Sequence, residues 1–388
     1  MRTASRGVKD AAAALGAREP NTLPPMLALL CAFGLSAVVS FLAVRYAHTH
    51  AHFSGDHDMS GPQKFHATAV PRVGGVGILL GIVGSLALLM VLRREGPALG
   101  LTLIACAAPT FLAGIAEDLT KSQSPRRRLF FTAVSAVLAA WLLGAVITRT
   151  DIPGLDWFVS FGAFAVLATV FAVAGVANAV NIIDGFNGLA AMCVVMMLGA
   201  IAYVAFQAHD LVIVSCALAG VGAVLGFFFW NFPAGLIFLG DGGAYFLGFY
   251  VAELSILLLH RNAEVSPLFP LLMCIYPIFE TVFSMYRRKV IRGRPVGMPD
   301  GVHLHSLVYR RLIRWAIGNK SAKMLTRRNS MTAPYLWILC MLSVGPAVVF
   351  WDNSLVLGAF IIMFAVTYVT VYARIVRFKA PGWLIFRR

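Results

Sequence analysis

Four carboxylates stand where apolar segments meet polar sequence: Glu117, Asp118, Asp184 and Asp241. A fifth, Asp300, lies in a long basic stretch. The chain has only 17 Asp and Glu in 388 residues, so this grouping is informative. Glu117-Asp118 ends an apolar run, and paired carboxylates of this kind suit a divalent cation or a proton acceptor. Acids at a helix C-terminus oppose its dipole and call for a positive partner. Lys121 and Arg126, Arg127 and Arg128 follow closely; a solvated turn neutralised by these bases is the plainer reading. The segment Asn178-Ala-Val-Asn181-Ile-Ile-Asp184-Gly-Phe-Asn187-Gly joins two apolar runs. Asn178, Asn181 and Asp184 recur at helical spacing and are expected on one face. Gly185 and Gly188 permit close backbone approach, and the free amides of the next helix favour an anion. Capping alone explains Asp184 or Asn187, but not the whole cluster.

The third cluster runs from Asn231 to Gly243 and ends in Leu-Gly-Asp241-Gly-Gly. It is expected to place Asp241 about one turn inside an apolar helix, where an acid is costly and usually functional. The same turn would offer a carboxylate to a metal and amides to phosphate. His303-Leu-His305 is a fourth candidate, two imidazoles that point to one side if extended; solvated loop histidines are the alternative. Lys64, His66 and Arg72 sit where a lipid phosphate would arrive. His48, His50, His52 and His57 read as a polar loop rather than a metal site. Glu253 and Glu280 fall inside apolar runs, away from these motifs, and are expected to be structural.

The elements that must carry these residues are membrane helices. Hydrophobic residues make up 59% of the chain and charged residues 13%, about half the charge of a soluble domain. Eleven candidate spans fall near 26–46, 73–92, 99–116, 128–148, 158–178, 188–208, 211–230, 236–259, 268–287, 333–351 and 354–374, each close to the length a bilayer requires. The expected fold is an all-α polytopic bundle. Its membrane domain covers 26–375, after a polar segment 1–25 and before a basic tail 376–388. The net charge of +15 does not indicate nucleic acid, because the bases are not in one patch. Most of the 32 Lys and Arg fall in alternate loops: around Lys64 and Arg72, around Lys121 to Arg128, through 288–332, and in the tail. The positive-inside rule then places those loops in the cytoplasm, with the N-terminus outside and the C-terminus inside. The four clusters share that cytoplasmic face. The six cysteines lie in or beside spans and imply no disulfide framework.

Taken in order, K-x-H with PRxGG, an acidic pair, NxxN-IID-G, N-x-PA-x-x-x-FLGD-G and a late H-x-H resemble the polyprenyl-phosphate N-acetylhexosamine-1-phosphate transferases. That family includes the phospho-MurNAc-pentapeptide translocase. The likeness runs from about Lys64 to His305. It implies transfer of a sugar-1-phosphate from a UDP-N-acetylhexosamine to undecaprenyl phosphate, with release of UMP and dependence on Mg²⁺ (Mn²⁺ as a substitute); the oligomeric state, a homodimer among the options, stays open. It assigns Asn181 and Asp241 to the metal. Asp118, Asp184 and Glu117 become the acidic set around the reacting phosphates. Lys64, Lys121, Asn178, Asn187, His303 and His305 become substrate contacts. Two departures stand out: the usual Asp-Asp is Glu117-Asp118, and the second acid of D-G-x-D-G is Asn187, which cannot act as a base. His-Leu-His-Ser, rather than a run of three histidines, leans toward the lipopolysaccharide or O-antigen branch. A secondary transporter is the rival from another class, although transporters place ionisable groups near the midplane. A scaffold for polysaccharide assembly and a peptidoglycan-type transferase are further alternatives.

Overall fold

A computed structural model describes residues 23–47, 70–94, 96–293, 301–313 and 322–377. Lys64, His66, Asp300, the upstream histidines and most of the basic tail lie outside them. The described chain is helical: α1 (Leu23–Arg45), α2 (Gly74–Val91), α3 (Pro97–Cys106), α4 (Ala108–Thr120), α5 (Pro125–Leu143), α6 (Leu155–Val159), α7 (Gly162–Ile183) and α8 (Leu189–Gln207). There follow α9 (Leu211–Asn231), α10 (Gly240–Arg261), α11 (Leu268–Met273), α12 (Ile275–Tyr286), α13 (Leu304–Leu307), α14 (Ala322–Ser330), α15 (Ala333–Val349) and α16 (Ser354–Val376). Each expected span coincides with a helix or an interrupted pair. Among the described residues, however, only 8 helices are long and apolar enough to cross a membrane, or 9 if α3 and α4, bent by 49°, form one span. The count of eleven is therefore not confirmed. The segment at 268–287 is split into α11 and α12. α5 begins Pro-Arg-Arg-Arg, which lowers its apolar content.

The centre of the bundle is α10, buried on every side from Gly240 to Leu258. It packs against α4 and α7. α1, α2 and α9 form a second tight group. Its cause is legible in residue size: Ala28, Ala32, Ser36 and Ser40 recur every fourth position of α1, and all are buried. A Cβ on Gly222 would stand 2.1 Å from the Leu29 carbonyl oxygen, and one on Gly226 would stand 2.5 Å from that of Phe33. In lipid, where apolar surface alone does not drive association, small residues let backbones approach and gain dispersion contacts. Large apolar side chains such as Trp141, Phe171 and Leu355 instead face outward, as a lipid-facing surface requires.

Candidate active site

The start of α10 is the organising feature. Gly240 has φ +77, and a Cβ there would meet Arg72 O at 2.5 Å and Asp118 Oδ2 at 2.6 Å, so the turn tolerates only glycine. Asp118, buried near the end of α4, accepts the Asp241 amide on Oδ1 and the Gly242 amide on Oδ2, each at 2.9 Å. It thus caps α10 from another helix. This corrects the expectation that these amides await a phosphate. It also places Asp241 in the first turn of α10 rather than a turn inside.

The loop before α2 runs beside the chain entering α10. Phe238 N bonds to Pro71 O at 2.9 Å, Gly74 N to Phe238 O at 2.9 Å and Gly75 N to Leu239 O at 3.0 Å. That pairing brings Arg72 to the acids, with Nε 3.4 Å from Asp118 Oδ1 and a terminal nitrogen 3.6 Å from Asp241 Oδ1. Arg128, in the first turn of α5, donates from Nη1 to Asp241 Oδ2 and lies 5.4 Å from the Tyr245 ring centre. Cations at a helix start oppose the dipole, so this position is not explained by helix stability. On the other side, Asn181 Nδ2 donates to Asp241 Oδ1 at 2.9 Å. Tyr245 Oη donates to Asn178 Oδ1 at 3.2 Å. Asp184 follows α7 as its C-cap. Burial, reinforced by the charges of Asp241 and Asp118 and opposed by Arg72, pushes its carboxyl up to about 7. At that value it exchanges a proton near neutrality.

His303 and His305 join this centre. Their rings stack at 5.1 Å with planes 10° apart. His305 meets Phe186 edge-on at 5.4 Å, and its Nε2 lies 3.6 Å from where a Gly185 Cβ would stand. The pair therefore abuts the turn that carries Asp184. Neither is a solvated loop residue, since both are buried.

Other expected residues lie differently. Glu117 Oε2 accepts the Gln123 amide at 2.5 Å, holding the α4–α5 turn rather than the acidic centre. Lys121 is the exposed C-cap of α4. Asn187 is buried; its amide donates to Asn329 Oδ1 at 2.8 Å and its Nδ2 to Ser330 Oγ at 3.1 Å. The Gly188 amide goes to Asn231 Oδ1 at 2.6 Å. Amides expected to hold an anion at the start of α8 are thus used to tie α14 and α9 to this turn. Glu280 corrects a further expectation. It is not remote from the motifs but accepts from His303 Nδ1 at 2.9 Å. Arg128 and Glu280 were missed as site residues. Arg128 is one of three identical neighbours, and Glu280 sits 23 residues before its partner.

For a divalent cation, the donors at hand are the Asp241 carboxylate, the Asn181 side-chain amide and Asp184. Among the described residues, no three His, Cys, Asp or Glu form a closed metal cage. Oxygen donors with few carboxylates nonetheless match the habit of Mg²⁺, which keeps waters and binds substrate phosphates. The residues fit that ion, with Arg128 and Arg72 supplying the positive charge around Asp241.

Carboxylates, guanidiniums and imidazoles collected at helix ends of an apolar bundle define a polytopic membrane protein with a charged, polar centre. The glycosyl transferase family 4 model matches residues 100–259. The chain is 30% identical over 288 residues to the undecaprenyl-phosphate alpha-N-acetylglucosaminyl 1-phosphate transferase of Thermotoga maritima, covering 72% of this chain and 81% of that one. It is 27% identical to a probable undecaprenyl-phosphate N-acetylglucosaminyl 1-phosphate transferase of Bacillus subtilis, over 90% of both chains. A shorter match, 36% identical over 105 residues, covers 26% of this chain and 29% of the phospho-N-acetylmuramoyl-pentapeptide-transferase of Beutenbergia cavernae. The chain belongs to the polyprenyl-phosphate N-acetylhexosamine-1-phosphate transferase family and is a bacterial multi-pass membrane transferase.

Proposed function

We propose that this protein transfers an N-acetylhexosamine-1-phosphate from a UDP-sugar to undecaprenyl phosphate at the cytoplasmic face, as the first step of an O-antigen or other surface polysaccharide. An oxygen of the lipid phosphate attacks the sugar-bearing phosphorus. The bond from that phosphorus to the bridging oxygen breaks, and UMP leaves with the oxygen. The product is undecaprenyl-pyrophosphoryl-sugar. The observation that carries this reading is Asp241 set between Arg128, Arg72 and Asn181 at the start of the central helix.

Both substrates are anions, so their approach must be neutralised. Arg72 and Arg128 supply fixed charge that is stronger in a water-poor site than in bulk water. Asp118 holds the α10 turn, and with it Asp241, in place. Asp184 accepts a residual proton of the lipid phosphate. Bound magnesium, held by Asp241 and Asn181 with Asp184 near, would add charge neutralisation at the diphosphate. The test is UMP release by detergent-purified protein supplied with UDP-GlcNAc, undecaprenyl phosphate and Mg²⁺. Release that falls by about a hundredfold or more in Asp241→Ala, the order of losing one transition-state contact, supports the reading. Uptake of substrate without UMP, across a panel of UDP-sugars, overturns it. The mass of the lipid-linked product identifies the sugar.

A further inference from the structure

Glu280 is 1% exposed, and its carboxylate is surrounded by donors from two other parts of the chain. Oε1 accepts from His303 Nδ1 at 2.9 Å and from the Leu304 amide at 3.1 Å. Oε2 accepts from Tyr368 Oη, in α16, at 2.6 Å. An acceptor-only carboxylate with three donors requires the facing imidazole nitrogen to bear hydrogen. The hydrogen bond of one ring nitrogen thereby decides the tautomer and the plane of the ring. The start of the same segment is clamped as well: Arg287 donates from Nη1 to Val302 O at 2.7 Å, and Tyr372 Oη donates to Val302 O at 3.3 Å.

What Glu280 holds is passed on. His303 stacks on His305, and His305 lies against Phe186 and Gly185, directly after Asp184. A line of contacts thus runs from α16 through α12 to the acidic centre. A polar network serving only to join α12 to α16 would not need an imidazole pair at its far end.

We infer that Glu280, braced by Tyr368, is a positioning residue that orients the His303–His305 pair, taken as contacts of the UDP-sugar, against the turn that carries Asp184. This rests on the function proposed above. Glu280→Gln keeps the shape and one acceptor oxygen but removes the charge. Tyr368→Phe removes only the brace.

The experiment has two arms. UMP-release kinetics are measured with UDP-GlcNAc and undecaprenyl phosphate varied separately, beside the thermal midpoint of each variant. The imidazole ¹⁵N signals of histidine-labelled protein in nanodiscs are recorded too, with His303 assigned by His303→Gln; only 9 histidines contribute. Glu280→Gln is expected to raise KM for the UDP-sugar about tenfold or more, the order of losing a charge-assisted hydrogen bond. The KM for the lipid phosphate and the thermal midpoint stay close to wild type. The His303 signal leaves the Nδ1–H pattern, and Tyr368→Phe moves it less in the same direction. Equal loss for both substrates in step with a fallen midpoint, or an unchanged His303 signal, overturns the inference. A wild-type protein that releases no UMP, yet whose His303 signal responds to Glu280→Gln, removes the proposed reaction and leaves the positioning contact standing. An active wild type whose KM and His303 signal both ignore Glu280→Gln removes the positioning role alone.

Discussion

Asp184 illustrates how a residue's chemistry depends on neighbours that its own segment does not reveal. Burial raises its carboxyl most, and Asp241 and Asp118 add to the effect, against Arg72; the result is a value of about 7 where an ordinary aspartate has 3.8. The stability consequence follows from the sign. A raised folded value means that stability is fully present below about pH 4 and is lost as pH rises through about 7. Asp184→Asn removes that loss. Its thermal midpoint in magnesium-free detergent should exceed wild type at about pH 8 and match it at about pH 4. A variant that gains equally at both would show that the carboxyl titrates normally. Asn181, Asp184 and Asp241 are legible in the sequence as candidate site residues, because each is a polar interruption of an apolar run. Arg128 was not. Only one of Arg126, Arg127 and Arg128 can point inward from a helix that turns every 3.6 residues, and nothing local says which.

At the scale of elements, three backbones meet at the α10 turn with no side chain between them. A Cβ on Gly114 in α4 would stand 2.5 Å from Gly242 Cα, and one on Gly75 in α2 would stand 2.5 Å from Gly243 Cα. These contacts are backbone to backbone, so neither neighbour can give way by rotating. Gly114→Ala should destabilise by roughly 1–3 kcal/mol or more, as overpacking does, and should also lower activity by shifting Asp241. Gly199 in α8 has nothing within 4 Å of its would-be Cβ, so Gly199→Ala should be neutral or slightly stabilising. Thermal unfolding of the two variants in detergent checks this; equal midpoints would mean that the α10 turn is not closely packed. Close backbone approach is expected from the sequence only of Gly185 and Gly188; the structure adds Gly75 and Gly114, which bring the α2 and α4 backbones against α10.

At the scale of the whole molecule, the proposal that the site faces the cytoplasm rests on the bases distributed over alternate loops. The expected outcome is asymmetric labelling. A membrane-impermeant maleimide should reach Asp352→Cys in intact cells and Arg127→Cys only after permeabilisation, both positions being exposed. The reverse pattern would invert the protein. The group of α1, α2 and α9 packs through small residues: Ala28, Ala32, Ser36 and Ser40 admit Gly222 and Gly226 to van der Waals contact. That repeat is visible in the sequence once a helix is assumed, at a spacing of four.

Run length, loop charge and ordered motifs are local properties, and a bilayer reads them locally. They are therefore enough to define a helical membrane bundle, its family, and the helix ends of the candidate site. Which ends meet is a property of packing. Asp118 looked like a catalytic acid, yet both its oxygens hold the α10 amides. Asn187 looked like a substrate contact and instead ties the turn to α14. Glu280 looked remote from the polar motifs, yet it accepts from His303 as well as from Tyr368 of another helix. Each of these partners is far away in sequence, and only the close packing of helices decides which polar group a buried donor or acceptor finds.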